Sequence, residues 1–195
     1  MELIFDLETT GLPTFLGKKR KYDYPDPADL KSYDTARIVS IGWILIDAKS
    51  KEIIQQQYHI VKPDGFDIPA ESTAIHNITR EFANVFGMTL HEIMSYFKAA
   101  LAKASTVLSY NLDFDFNVLQ SELNRYHQDD LSKELQSKRQ RCIMLMSQIY
   151  MDAPFYPKLS DVYRYVFNAP IQNAHNALGD VLSCHRVYKE IHNKI

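Results

Sequence analysis

Three strand-like segments come before any helical pattern, and this order most limits what the chain can fold into. Glu2–Leu7 is rich in β-formers, and Ile38–Ile46 and Ile53–Val61 are rich in Ile and Val. The short polar stretch Asp47–Lys51 joins the latter two, which read as an antiparallel hairpin. Helical patterns follow. Thr89-Leu90-His91-Glu92 is a capping box, with Thr at the N-cap and Glu three residues on. Leu90, Ile93, Met94, Phe97 and Leu101 then recur at helical spacing. Ser105–Ser109 is a short strand centred on Thr106-Val107-Leu108. Leu112, Phe116, Leu119, Leu123 and Tyr126 trace one helical stripe, and Ala177, Val181, Cys184, Tyr188 and Ile191 another. Weaker helical stretches lie at Ile143–Met151 and Lys158–Phe167. The order β-β-β, α-β-α, then helix predicts an α/β fold, a mixed sheet flanked by helices. The polar stretch Pro13–Thr35 reads as a long solvated surface loop outside that core.

Composition narrows the function classes. With 195 residues, 46% hydrophobic and 12% aromatic, the chain can build one substantial core, and it reads as a single domain over 1–195. Its 22 basic and 24 acidic residues give a net charge of −2, which excludes a disordered chain and a basic nucleic-acid coat protein. Cys142 and Cys184 supply neither a disulfide framework nor a CxxC zinc site. The longest strongly apolar stretch, Ile41–Ile46, falls far short of the ~20 residues a membrane span needs. The opening MELIFDLE carries acids in its apolar run and is not a signal peptide. The expected location is intracellular and cytoplasmic, or nuclear if Lys18-Lys19-Arg20-Lys21 is a targeting signal.

Three segments carry candidate chemistry. Asp6 and Glu8, two apart on the first strand, project from one face. They either repel as solvated strand-end charges or share a hard cation such as Mg²⁺ or Mn²⁺. Asn111-Leu112-Asp113-Phe114-Asp115 opens a helix, with Asn111 at the N-cap position. Acids in a first turn commonly serve the helix dipole alone. His175-Asn176-Ala177-Leu178-Gly179-Asp180 opens the last long helix, where Gly179 hints at close packing. Lys138, Arg139 and Arg141 form a second basic cluster after Lys18–Lys21.

Taken together, the segments resemble the DEDD superfamily of 3′–5′ exonucleases, in its DEDDh branch. Asp6-Leu7-Glu8-Thr9-Thr10-Gly11 matches the motif D-x-E-T-T-G, Asn111–Asp115 matches N-x-x-F-D, and His175–Asp180 matches H-x-A-x-x-D. Ile75-His76-Asn77-Ile78-Thr79 is similar to the family's I-H-G-I-T segment, with Asn77 where Gly is usual. The resemblance implies an RNase H-like fold and a two-metal site for Mg²⁺ or Mn²⁺. Asp6 would bridge the metals, Glu8 and Asp180 would complete one metal site, Asp115 would hold the second metal, and His175 would be the general base. An imidazole titrates close to neutral pH and suits that role. The backbone at Thr9, with Thr10 and Gly11, would meet the terminal 3′-OH. Leu12 would wedge against the last base, Ile75 and His76 would line the other side, and Asn111 would complete the pocket.

The implied function is 3′–5′ exonuclease action on single-stranded or frayed nucleic acid, DNA favoured, releasing nucleoside 5′-monophosphates. The alternative is an RNA 3′–5′ exonuclease. A non-catalytic exonuclease-like module bound to a polymerase would be expected to lose metal ligands, yet all four carboxylates and the histidine are present. Proofreading would need a polymerase, or another replication or repair partner, in trans.

Overall fold

In the computed structural model, residues 1–15, 23–171 and 175–194 are described. The basic run Lys18–Lys21 lies outside them. Strands β1 (Glu2–Thr9), β2 (Ile38–Ile46) and β3 (Ile53–Ile60) pair antiparallel in chain order. Strands β4 (Thr106–Ser109) and β5 (Arg139–Cys142) add in parallel on the other side of β1. The sheet order is β3-β2-β1-β4-β5, the mixed sheet expected from the sequence. Helices α1 (Ala70–His76), α2 (Arg80–Phe86) and α3 (Leu90–Leu101) connect β3 to β4. Then come α4 (Leu112–Arg125) and α5 (Asp129–Ser137) before β5, and α6 (Ile143–Met151), α7 (Leu159–Phe167) and α8 (Ala177–Ile191) after it. Among the described residues, no helix is long and apolar enough to cross a membrane. Both cysteines are free.

Strand β1 shows how the sequence builds this arrangement. Its odd positions Leu3, Phe5 and Leu7 join a cluster with Trp43, Phe97, Leu119 and Leu135, under α3, α4 and α5. Its even position Ile4 joins the opposite cluster with Ile44, Leu108, Val181 and Tyr188, under α6, α7 and α8. Alternation along a strand puts Glu2, Asp6 and Glu8 on that second face too. At one end, Glu2 accepts from Lys51 Nζ at 2.7 Å and from the Tyr188 hydroxyl of α8. At the other end, Asp6 and Glu8 meet the start of α8.

One expectation from the sequence is corrected. The described part of the stretch Pro13–Thr35, residues 13–15 and 23–35, is not simply solvated. Within it Tyr33 is fully buried and donates to Pro25 O, while Asn124 Nδ2 and Arg125 Nη2 of α4 donate to Pro27 O and Leu30 O. These α4 side chains satisfy backbone carbonyls that would otherwise need water. Of the basic cluster Lys138, Arg139 and Arg141, one charge is paired within the chain and two are exposed on one strand. Lys138 pairs with Glu134, and Arg139 and Arg141 belong to the edge strand β5, where charge discourages further pairing.

Candidate active site

Strand β1 delivers Asp6 and Glu8 at its carboxyl end, beside the end of the parallel strand β4. Helix α4 delivers Asp115 from its first turn. Asp115 Oδ1 accepts from the Leu7 amide of β1 at 3.1 Å, and Oδ2 from the Ser109 hydroxyl of β4 at 2.5 Å. These bonds fix a 3% exposed carboxylate at the junction of both strands. Helix α8 delivers Asp180, whose Oδ2 accepts from the His175 amide at 2.9 Å. That bond folds the chain back just ahead of α8, with His175 in the left-handed region at φ 64°. Asn176 caps the helix by accepting from Gly179 N at 3.1 Å.

The three segments meet in one cleft of about 690 Å³, lined by Asp6, Glu8, Asp115, His175 and Asp180. Asp6, Glu8 and Asp180 each offer a carboxylate oxygen within 4.8 Å of the others. Among the described residues, no lysine or arginine forms an ion pair with any of the four acids. Their protonation reflects this. Burial first, and the charges of Asp115, Asp180 and Glu8 next, hold Asp6 well above the usual carboxylate range. Burial, then Asp180 and Asp115, push Glu8 up to about 8. Burial raises Asp115 to about 7 against the pull of its Ser109 and Leu7 hydrogen bonds. Asp180 is raised by burial, opposed by the His175 amide. Crowded oxygen ligands that would otherwise hold protons are a donor set suited to hard divalent cations.

The expected substrate contacts are less concentrated. Asn111 lines the cleft; Thr9, Thr10, Gly11, Leu12, Ile75 and His76 are not among its lining residues. The Thr10 hydroxyl is used internally, donating to Thr35 O and accepting from Arg37 N. Leu12 is 70% exposed, so it is not core. Ile75 is exposed on α1, while His76 is buried with Nδ1 accepting from Ile78 N at 3.1 Å. Asn77, where the family usually has Gly, sits at φ 60°, a left-handed position that Asn tolerates. Asn111 holds the N-cap position of α4 but makes no side-chain cap; its amide donates to Tyr24 instead.

Sequence reasoning missed two residues that position the site. Ser109 orients Asp115 and carries no local signature. Gly42 lies opposite Asp6 in the sheet. A Cβ there would stand 2.6 Å from Leu178 N, so α8 rests directly on its backbone. A glycine inside a strand is a sign of such close approach.

The model of the RNase T exonuclease family matches residues 3–188. The chain belongs to this exonuclease family. Its members are nucleases. No curated protein matches the chain. Among solved structures it is similar to Exonuclease X in complex with 5′-overhanging duplex DNA, at 18% identity and a TM-score of 0.65, over 100% of this chain and 92% of that one. It is also similar to E. coli Exonuclease I with a dT13 oligonucleotide, at 18% identity and a TM-score of 0.71, over 97% of this chain and 40% of that one. The zinc-bound E. coli Exonuclease I–ssDNA complex matches at 19% identity and a TM-score of 0.74, again over 40% of its length against 99% of this chain. At these identities the likeness is one of fold: an α/β, RNase H-like exonuclease fold.

Proposed function

We propose that the chain is a divalent-metal-dependent 3′–5′ exonuclease that releases nucleoside 5′-monophosphates from single-stranded or frayed ends, DNA favoured over RNA. One observation carries this reading. Five residues from three distant segments, four acids and one histidine, line a single cleft. Separate solvated charges would have no reason to converge there, at a cost in burial that raises every one of the four carboxyls.

Asp6, Glu8 and Asp180 would hold one cation and Asp6 with Asp115 a second, either Mg²⁺ or Mn²⁺. A cation pair supplies charge neutralisation at the attacking and leaving oxygens of an in-line displacement, and an acidified water. The chain's own residues do the rest. Leu7 and Ser109 keep Asp115 from rotating away. His175, exposed at the cleft, takes the proton of the attacking water as general base. The bond from its amide to Asp180 ties the base to a ligand carboxylate, so both move together. Oligonucleotide-bound structures of Exonuclease I and Exonuclease X, which share the fold, support a DNA strand as substrate.

The test uses 5′-labelled single-stranded DNA and RNA of one sequence, with Mg²⁺ and with Mn²⁺, beside Asp6→Asn and His175→Ala proteins. The reading expects a ladder shortening from the 3′ end, stronger on DNA and lost in both variants. Digestion of neither strand with either cation would overturn it, and preference for RNA would replace DNA by the RNA alternative.

A further inference from the structure

The wall of the cleft includes side chains held by a segment outside the family motifs. Asn111 and Phe114 line the cleft with Asp6, Glu8 and His175. Asn111 Nδ2 donates to the Tyr24 hydroxyl at 3.1 Å, and the Tyr24 ring lies 5.8 Å from that of Phe114. On its other side, Tyr24 packs 6.0 Å from Phe15. Phe114, which lines the cleft, Tyr24 and Phe15 thus form a connected row of half-buried rings. Tyr24 is fixed from below. The next residue, Pro25, accepts from the hydroxyl of fully buried Tyr33, and Pro27 O and Leu30 O accept from α4. Asn111 makes no side-chain capping bond through Oδ1, and its Nδ2 donates to Tyr24.

We propose that Tyr24 is a substrate-positioning residue. Through the packing of its ring on Phe114 it sets the rim against which the bases next to the terminal nucleotide stack as the strand leaves the cleft. Aromatic faces in a row grip successive bases irrespective of sequence. Tyr24 therefore governs hold on the strand rather than hydrolysis. This rests on the exonuclease reading above.

Steady-state digestion of a dT oligonucleotide tests it, beside the same strand with abasic sites at the second and third nucleotides from the 3′ end. Tyr24→Leu fills the volume without a ring face or hydroxyl; Tyr24→Phe keeps the ring. The expected result is a roughly 10-fold rise in KM for Tyr24→Leu on the intact strand, with kcat within ~2-fold. On the abasic strand the two proteins should differ in KM by less than ~2-fold, and Tyr24→Phe should recover most of the intact-strand KM. An unchanged KM in Tyr24→Leu, the same KM ratio on both strands, or a fall in kcat instead would overturn the proposal. Wild-type protein that digests neither strand marks failure of the exonuclease reading itself, and the proposal falls with it.

Discussion

Replacing Gly42 by Ala places one methyl group between the sheet and α8. The added Cβ would stand 2.6 Å from Leu178 N, 2.7 Å from Ala177 C and 2.9 Å from Ala177 O. Ordinary contact begins at 3.4 Å, so the start of α8 must retreat by 3.4 − 2.6 = 0.8 Å. All three atoms are backbone, and none can swing aside as a side-chain tip would. Asp180 lies three residues beyond Ala177 and His175 two before it, while Gly42 pairs directly with Asp6. The retreat therefore opens the gap between Asp6 and Glu8 on one side and His175 and Asp180 on the other. Misplacement of a catalytic group by ~1 Å costs on the order of 10²-fold. Gly42→Ala should lower kcat about 10- to 100-fold, with a loss of stability of ~1–3 kcal/mol from overpacking. Trimming Ala177 to Gly in the same protein should not rescue it, since the clash is with backbone. Gly65→Ala is the control. Its φ of 72° makes Ala strained, but a Cβ there meets nothing within 4 Å, so stability should fall without loss of kcat. The assay is oligonucleotide digestion at saturating Mn²⁺, with thermal melts beside it. Wild-type kcat in a folded Gly42→Ala protein would refute the claim that this contact sets the register of the site.

Further predictions concern pH, the histidine and the buried ion pairs. Burial and mutual repulsion raise Glu8 to about 8 and Asp115 to about 7 in the cation-free protein. The folded state then holds protons the unfolded chain has released, so the stabilisation is complete below the usual carboxylate range and is lost as pH rises through about 7 to 8. Melting in EDTA should fall between pH 6 and 9, by an amount on the order of a few kcal/mol, and Mn²⁺ should flatten the curve; a melt in EDTA that rises with pH would contradict this. His175→Ala should lose ~10²–10⁴ in kcat while melting like the wild type, because the side chain is exposed. Glu122→Ala strands the buried Arg37 guanidinium, now 2.6 Å from its partner, and should cost ~3–5 kcal/mol by denaturant unfolding. Replacing both residues by apolar ones of similar volume should recover much of it.

The strands and long helices were legible because their signals are local. Ile and Val fill β2, and the capping box at Thr89 forms with both of its bonds. Other elements lacked such signals. Helix α2 leaves Phe82, Val85 and Phe86 exposed, so its apolar residues do not mark a buried stripe. Strand β5 reads Arg-Gln-Arg-Cys and exists because β4 offers it an edge to pair with. Helix α5 did carry a signal, Leu131 and Leu135 four apart and buried, which the sequence reading overlooked. In the site, the acids and His175 were legible because each sits at a fixed spacing within its motif. The contacts of Gly42, Ser109 and Tyr24 were not, because their partners come from other elements. His76 had a visible motif, but its hydrogen bond from Ile78 N was not legible in it.

The most direct test of the site is a Mn²⁺ titration followed by electron paramagnetic resonance, in the presence of a non-hydrolysable dT oligonucleotide. The proposed function, with Asp6 as the shared ligand, predicts two saturable Mn²⁺ per chain in the wild-type protein and loss of both in Asp6→Asn. No saturable Mn²⁺ in the wild type, or equal binding in Asp6→Asn, would contradict the assignment of this cleft as a two-metal nuclease centre.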